Sequence, residues 1–320
     1  MKKICLFGMM IVSALIVSCS SDDDIQNSPV NKEIKIIADL PQESSTRAAY
    51  TDNSEGSTYS LTSAWANGDK VRYDYRTSAA TNNEQKRTVD VTITGGVGTF
   101  SLSDGDPAAS SYIYCHHPAS SNYFTSLADN TSTCVITPPT NAGYIYNLTS
   151  DLSSKNFLVG SLQYSDSKAN LNMAFKNIYA LLKFTIKVPY ENSGEYSVSR
   201  FSTVTIKGYD GTNATNVKTG GTVTLTGSTG EFEWGGTSDG AYTRTANIDL
   251  TNNGTNEIAG GYRTCTLYVL VTPQTWSGLY LSATDNGSTA HTYVYSKTGN
   301  MTLVAGKMYG INIKLEKSMH

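Results

Sequence analysis

The sequence predicts an all-β protein built from two antiparallel β-sandwiches in tandem. Only 16% of its 320 residues are charged, whereas it contains 27 glycines and 21 tyrosines, a composition that favours short strands and polar turns over helices. Apolar and polar residues alternate in many short segments, and a turn signal follows roughly every ten residues. Because a single core rarely extends over a chain of this length, we expect two domains.

Charge and motif content exclude several classes of function. The formal net charge is −3 at pH 7, so no basic surface is available to attract nucleic acid. The chain has four histidines and no GxSxG, HExxH or paired-carboxylate motif, which argues against a secreted hydrolase. His116 and His117 are adjacent, and on a strand their side chains would point to opposite faces. We therefore predict that the protein is not an enzyme and has no metal site and no cofactor.

The N-terminus predicts an exported lipoprotein. A basic start, Met1-Lys2-Lys3, precedes an apolar run over residues 4–17 that is too short to span a membrane. Cys19 follows in a context that resembles a bacterial lipobox, and an acidic run over residues 20–24 resembles the surface-export signal of Bacteroidetes-type lipoproteins. Residues 1–18 are thus predicted to be a signal peptide, with lipid on Cys19 and an outer-membrane, surface-exposed location.

Residues 19–47 are predicted to form a lipidated tether followed by a first strand. The tether is polar, and the strand has a regular apolar face with Ile37 as the one exception. Pro41 ends the strand, and the polar segment that follows should leave Arg47 accessible to a protease. The residues of the apolar face are Ile34, Ile36, Ala38 and Leu40.

Residues 48–165 are predicted to be the first sandwich. Turn residues at Asn67-Gly68-Asp69 precede an alternating strand around Tyr73. Further strand signals surround Val91 and Ile113, and the boundary with the next domain is expected near residues 164–169.

Residues 166–320 are predicted to be the second sandwich. Its first part, residues 168–179, has the rough helical spacing of Leu171, Phe175 and Ile178, so a short helix is conceivable there. Strand patterns then recur to the end of the chain. The last strand presents the alternating residues Tyr309, Ile311, Ile313 and Leu315.

Three cysteines would remain after removal of the leader and lipidation of Cys19. Cys115, Cys134 and Cys265 can form at most one disulfide, and proximity alone favours the pair Cys115–Cys134. Cys265 lies in an alternating run and is expected to be a buried apolar residue.

A glycan-binding lipoprotein is the alternative interpretation of the same features. Sugars stack on aromatic side chains, and the 21 tyrosines together with Trp65, Trp234 and Trp276 could supply such platforms. A monomeric sugar binder, however, has no need of an alternating strand followed by an accessible arginine.

Several motifs together resemble the fimbrillin-like proteins, the type V pilus subunits of Bacteroidales. They begin with the lipobox and with Thr46-Arg47-Ala48, and they continue in the same order along almost the whole chain. The later motifs are those at residues 65–71, 174–184, 271–275 and 305–313.

The resemblance implies two transthyretin-like β-sandwich domains and a route of assembly. In polymerising members, an arginine-specific protease cuts after the residue that matches Arg47, so that the new chain begins at Ala48. The first strand is thereby removed, and a strand from another subunit fills the groove. The partners implied are other fimbrial subunits, and the implied role is that of an adhesive fimbrial subunit.

The C-terminus departs from the pattern of the stalk subunits of the family, which tend to carry one further strand for donation. Two alternatives follow. Either the strand Tyr309–Leu315 is itself donated, or the subunit accepts a strand without giving one, as a tip subunit would.

Overall fold

The alternating segments of the sequence form strands throughout the computed structural model. It describes residues 34–316, apart from gaps at 41–50, 53–60, 63, 78–83, 104, 127–131, 140–144, 147–151, 153–154, 156, 166–169, 192–198, 251–260 and 288. All elements with described bounds are strands, which confirms the all-β class. Among these residues no helix is long and apolar enough to cross a membrane.

The first half of the chain contributes twelve strands. They are β1 (Ile34–Asp39), β2 (Thr51–Asp52), β3 (Leu61–Thr62), β4 (Lys70–Arg76), β5 (Glu84–Asp90), β6 (Thr92–Thr94), β7 (Val97–Leu102), β8 (Tyr112–His117), β9 (Phe124–Ser126), β10 (Thr133–Ile136), β11 (Ile145–Tyr146) and β12 (Leu158–Gln163).

The second half contributes eleven more, several of them longer. They are β13 (Asn170–Asn177), β14 (Ala180–Pro189), β15 (Arg200–Tyr209), β16 (Ala214–Thr215), β17 (Val217–Thr226), β18 (Phe232–Gly240), β19 (Tyr242–Asp249), β20 (Tyr262–Val271), β21 (Gln274–Asp285), β22 (Thr292–Leu303) and β23 (Met308–Lys314).

The largest sheet has eight strands in the order β5-β4-β8-β12-β13-β1-β7-β6. Further sheets have the orders β18-β17-β10-β9, β11-β20-β14-β23 and β16-β15-β21-β22, with β19 paired to β15. Strands β9, β10 and β11 come from the first half of the chain but join sheets whose other strands come from the second half.

Two strand pairs are parallel, so the prediction of purely antiparallel sheets is wrong at these places. Strand β1 runs parallel to β13, and β23 runs parallel to β14. Both pairs join strands far apart in sequence, which leaves ample chain for the crossover that a parallel pair requires. Alternation of apolar residues reports which face is buried and carries no information about strand direction.

The segment predicted as a possible helix is strand β13. Its buried side chains are Leu171, Met173 and Phe175, which recur every second residue, and the residues between them are more exposed. The helical prediction rests on the spacing of Leu171, Phe175 and Ile178 and does not include Met173. A segment this short fits both the helical period and the strand period. It forms a strand because β12 pairs with it on one side and β1 on the other.

Buried side chains form three apolar clusters. One lies against the eight-stranded sheet and includes Ile36, Tyr73 and Phe175. The largest contains residues of β14, β15, β20 and β21, with Trp276 at 2% exposure. The third joins residues of both halves of the chain, from Tyr114 to Leu270.

The three described cysteines are buried and form no disulfide. The Cys115–Cys134 disulfide is therefore not present. Cys115 packs in the cluster against the eight-stranded sheet, whereas Cys134 packs in the cluster shared by both halves. Closeness in sequence did not bring the two thiols together, because the chain crosses from one cluster to the other between them.

Candidate functional site: the groove filled by the first strand

Strand β1 is an interior strand of the eight-stranded sheet. It pairs in parallel with β13, in a register that sets Ile36 opposite Leu171. On its other side it pairs antiparallel with β7, and Ile36 lies opposite Phe100. The first strand in the sequence therefore has backbone partners on both of its edges.

The apolar face of β1 points into the core, as its alternation predicts. Ile34, Ile36 and Ala38 are 5%, 0% and 3% exposed, and Leu40, just beyond the strand, packs against the same cluster. Ile37 is only partly buried. Burial of each isoleucine side chain of this face contributes about 1.5–3 kcal/mol, so β1 is strongly held by its side chains as well as by its backbone.

Trp65 holds the C-terminal end of β1 in place. Its indole Nε1 donates a buried hydrogen bond of 2.8 Å to the carbonyl oxygen of Ala38. The ring makes edge contacts with His117 and Phe175, each at a centroid distance of 5.4 Å. The hydrogen bond and these contacts hold the indole in one orientation against the strand.

Gly98 makes room for that indole. A Cβ atom at this position would lie 2.2 Å from Cδ1 of Trp65, far inside van der Waals contact. Gly98 is on β7 directly opposite Ala38, so the ring covers the place where β1 and β7 meet.

The turn that carries Trp65 is fixed by Asp69. Its carboxylate accepts a 2.8 Å hydrogen bond from the backbone N–H of Ala66, and its own N–H donates to the Ala66 carbonyl oxygen. This motif was singled out in the sequence for its turn chemistry and its family resemblance. Its role in holding β1 was missed, since no local pattern indicates that an indole reaches a strand 27 residues away.

Loss of β1 would divide the sheet into β5-β4-β8-β12-β13 and β7-β6. Two facing edges, one on β13 and one on β7, would then present unpaired backbone groups on either side of an apolar groove. Such edges favour pairing with a new extended segment.

The C-terminal strand has a place in its own sheet. Strand β23 is an edge strand and pairs only with β14 among the described strands. Ile313 and Leu315 are 3% and 1% exposed, whereas Tyr309 and Ile311 are partly buried against the same cluster. The backbone N–H of Leu315 also donates a 2.9 Å hydrogen bond to Lys187.

The two adjacent histidines face different clusters. The His116 ring stacks on Phe157 at 5.3 Å, while His117 donates from Nδ1 to the Lys70 carbonyl oxygen at 2.8 Å. Burial lowers the pKa of His116 to about 3, although a hydrogen bond from its Nδ1 to Pro118 opposes that shift. Among the described residues no group of three or more metal-ligating side chains comes together.

Two of the three tryptophans proposed as sugar platforms are in the core. Trp65 is 6% and Trp276 is 2% exposed, so neither can stack on a ligand. Trp234 is only partly buried. Cys19, Arg47 and Ala48 lie outside the described residues.

The chain belongs to the fimbrillin-like family, whose model matches residues 46–319, so the resemblance inferred from the motifs is confirmed. The family is one of structural proteins rather than an enzyme class. No curated protein is significantly similar to this sequence.

Two similar solved structures come from species of Bacteroides. A candidate cell adhesion protein from Bacteroides ovatus is 12% identical, with 89% of this chain and 92% of that chain covered and a TM-score of 0.48. One from Bacteroides uniformis is 16% identical, with coverages of 90% and 96% and a TM-score of 0.45. At these values the likeness carries no functional conclusion.

Proposed function

We propose that this protein is an adhesive subunit of a cell-surface fimbria and that it assembles by strand exchange in the groove now filled by β1. The observation that carries the proposal is the interior position of β1 between β7 and β13. A strand that is held on both edges and one face, yet precedes every other described strand, can be released by one cut and replaced without rethreading the rest of the fold.

The route begins at the cell surface. Lipid on Cys19 anchors the exported chain in the outer membrane, and cleavage after Arg47 makes Ala48 the new N-terminus. The severed segment includes β1, and its departure opens the groove. Because the contact between donor and acceptor is head to tail and does not close, its repetition among subunits that both give and accept a strand produces a filament.

The domain organisation that goes with this proposal has two transthyretin-like sandwiches, at residues 48–165 and 166–320. Residues 1–18 are the signal peptide, and residues 19–47 are the tether with the removable strand. The chain leaves the eight-stranded sheet between β13 and β14, so β13 of the second range lies in the sheet of the first, while β9, β10 and β11 of the first range join sheets of the second.

We favour the acceptor role for this subunit over donation of β23. Donation would withdraw the buried Ile313 and Leu315 from their own core and leave β14 with an unpaired edge. Exposure of these two side chains would lose about 3–6 kcal/mol of stabilising free energy. Their burial in the acceptor groove would have to offset this loss. The incoming strand then comes from a different subunit type.

Treatment of the purified protein with an arginine-specific protease tests the proposal. We expect cleavage after Arg47, followed on mixing with a donor subunit by oligomers that survive SDS. The Arg47→Ala variant should remain full-length and monomeric under the same conditions. Clean cleavage with no loss of β1 and no change in oligomer size would contradict strand exchange.

A further inference from the structure

A second site lies where the beginning of β18 meets the loop before β23. It is an open cleft of about 690 Å³, within the range of ligand-binding clefts. Its lining includes Lys176, Asn177, Glu231, Glu233, Trp234 and Gly306. None of its lining residues belongs to β1 or pairs with it: Lys176 and Asn177 are the last residues of β13, beyond those that pair with β1.

Trp234 forms a rigid aromatic wall of this cleft. Its Nε1 donates a 3.0 Å hydrogen bond to the Ile178 carbonyl oxygen, and its ring lies 5.5 Å from that of Tyr179. The indole is thus held in place before any ligand arrives, which lowers the entropic cost of binding. Since the other two tryptophans are buried, it is the one indole that can offer its surface to a ligand.

Polar groups of both kinds surround the indole. Lys176 pairs with Glu231, and the exposed Glu233 makes no ion pair with any described residue. Carboxylates accept hydrogen bonds, and the ammonium donates them. Sugar hydroxyls, which donate and accept, match this mixture.

The charge of the lining selects among glycans. Two carboxylates and one ammonium leave the cleft with a net negative charge, which disfavours ligands that carry carboxylate or sulfate groups. A basic peptide is also poorly matched, because Lys176 already occupies one of the two carboxylates. A neutral sugar has neither disadvantage.

We infer that this cleft binds a neutral oligosaccharide. One sugar ring stacks on Trp234, and its hydroxyls form hydrogen bonds with Lys176 and with the exposed Glu231. The inference goes beyond assembly and does not require cleavage of the chain. It gives the surface subunit a ligand class, and it places that ligand away from the strand-exchange groove.

Binding of uncharged oligosaccharides of galactose, glucose, mannose and N-acetylglucosamine to the purified protein tests the inference. Because Trp234 alone of the tryptophans can contact a ligand, binding should change the tryptophan fluorescence, and calorimetry should give a matching affinity. We expect Trp234→Ala to weaken binding at least about tenfold. Glu231→Gln should weaken it severalfold.

Two further variants keep the test decisive. Tyr295→Ala alters a partly buried aromatic residue in a different cleft, between β22 and β23, and should bind as the wild type does. If Trp234→Ala fails to fold, Glu231→Ala changes a side chain that is 71% exposed and should still reduce binding.

The inference is overturned if no neutral oligosaccharide binds at millimolar concentration, or if folded Trp234→Ala binds as well as the wild type. It is equally overturned if only a sialylated glycan or a lysine-rich peptide binds in the cleft. None of these outcomes would affect the formation of SDS-resistant oligomers, so failure here is distinguishable from failure of strand exchange.

Discussion

The Nε1 atom of Trp65 donates a hydrogen bond to the carbonyl oxygen of Ala38, at 2.8 Å and away from solvent. This contact joins the turn before β4 to the end of β1. It therefore couples a structural motif of the sequence to the strand whose removal we propose as the first step of assembly, and it identifies Trp65 as a positioning residue for β1.

Replacement of Trp65 by phenylalanine should loosen β1. The Ala38 carbonyl oxygen would lose its indole partner within the core, and we expect the free energy of unfolding to fall by about 1–3 kcal/mol. Denaturant titration measures the loss, and hydrogen exchange of the β1 amides should accelerate. The matched control is Trp276→Phe, because the buried Nε1 of Trp276 has no hydrogen-bond partner among the described residues. Equal losses in the two variants would show that the Ala38 bond contributes nothing.

Substitution of Gly98 by alanine should displace the same indole. The new methyl group would lie 2.2 Å from Trp65 Cδ1, and overpacking of this kind costs about 1–3 kcal/mol. Gly235→Ala is the control, since its Cβ would meet no atom closer than 3.6 Å. Thermal unfolding of the two variants checks this. A Gly98→Ala protein as stable as Gly235→Ala would mean that the ring can move aside freely.

The buried His116 should make the protein less stable in mild acid. Its folded pKa of about 3 is below the ordinary value of 6.5, so between these values the unfolded chain binds a proton that the folded chain does not. The contribution is fully present above pH 6.5 and is lost as the pH falls toward 3, at about 1.4 kcal/mol per pH unit. His116→Phe should flatten the decline between pH 6.5 and 5, as followed by denaturant titration. An unchanged slope in this variant would contradict the assignment.

The cysteine thiols should resist alkylation in the folded protein. Burial raises the pKa of Cys265 to about 12, and burial together with the nearby Asp74 raises that of Cys115 well above its ordinary range. Both thiols are therefore protonated and inaccessible at pH 8. Iodoacetamide with mass spectrometry should label Cys115, Cys134 and Cys265 only after denaturation. A mass two units lower in the unreduced protein would instead reveal a disulfide.

Local patterns predicted the strands better than their partners. The alternation in β1, β14 and β23 was sufficient to identify each strand and its buried face, because side-chain period is a local property. The parallel pairing of β1 with β13 depends on contacts between residues more than 100 positions apart in the sequence. Alternation of apolar residues gives no information about such pairing. The helix considered at residues 168–179 shows the same limit, since both periods fitted Leu171 and Phe175.

The sequence predicted the strand that fills the candidate site, but it did not predict the contacts that hold this strand in place. Ile34, Ile36 and Ala38 were singled out from their spacing, and all three are buried. The contact of Trp65 with Ala38 and the space provided by Gly98 arise only when distant segments meet. The sequence shows a tryptophan directly before a turn motif, but it does not show that the indole contacts a strand 27 residues away.

Binding of a synthetic β1 peptide to the trimmed protein tests the central claim most directly. After cleavage at Arg47 and removal of the severed segment, a labelled peptide spanning residues 33–40 should bind the groove. The same peptide with Ile36→Asp should not bind, because Ile36 is fully buried. A peptide with Ile37→Asp, changed on the more exposed face, should retain most of its affinity. Equal binding of the Ile36→Asp and Ile37→Asp peptides, or no binding of any peptide, would contradict the account.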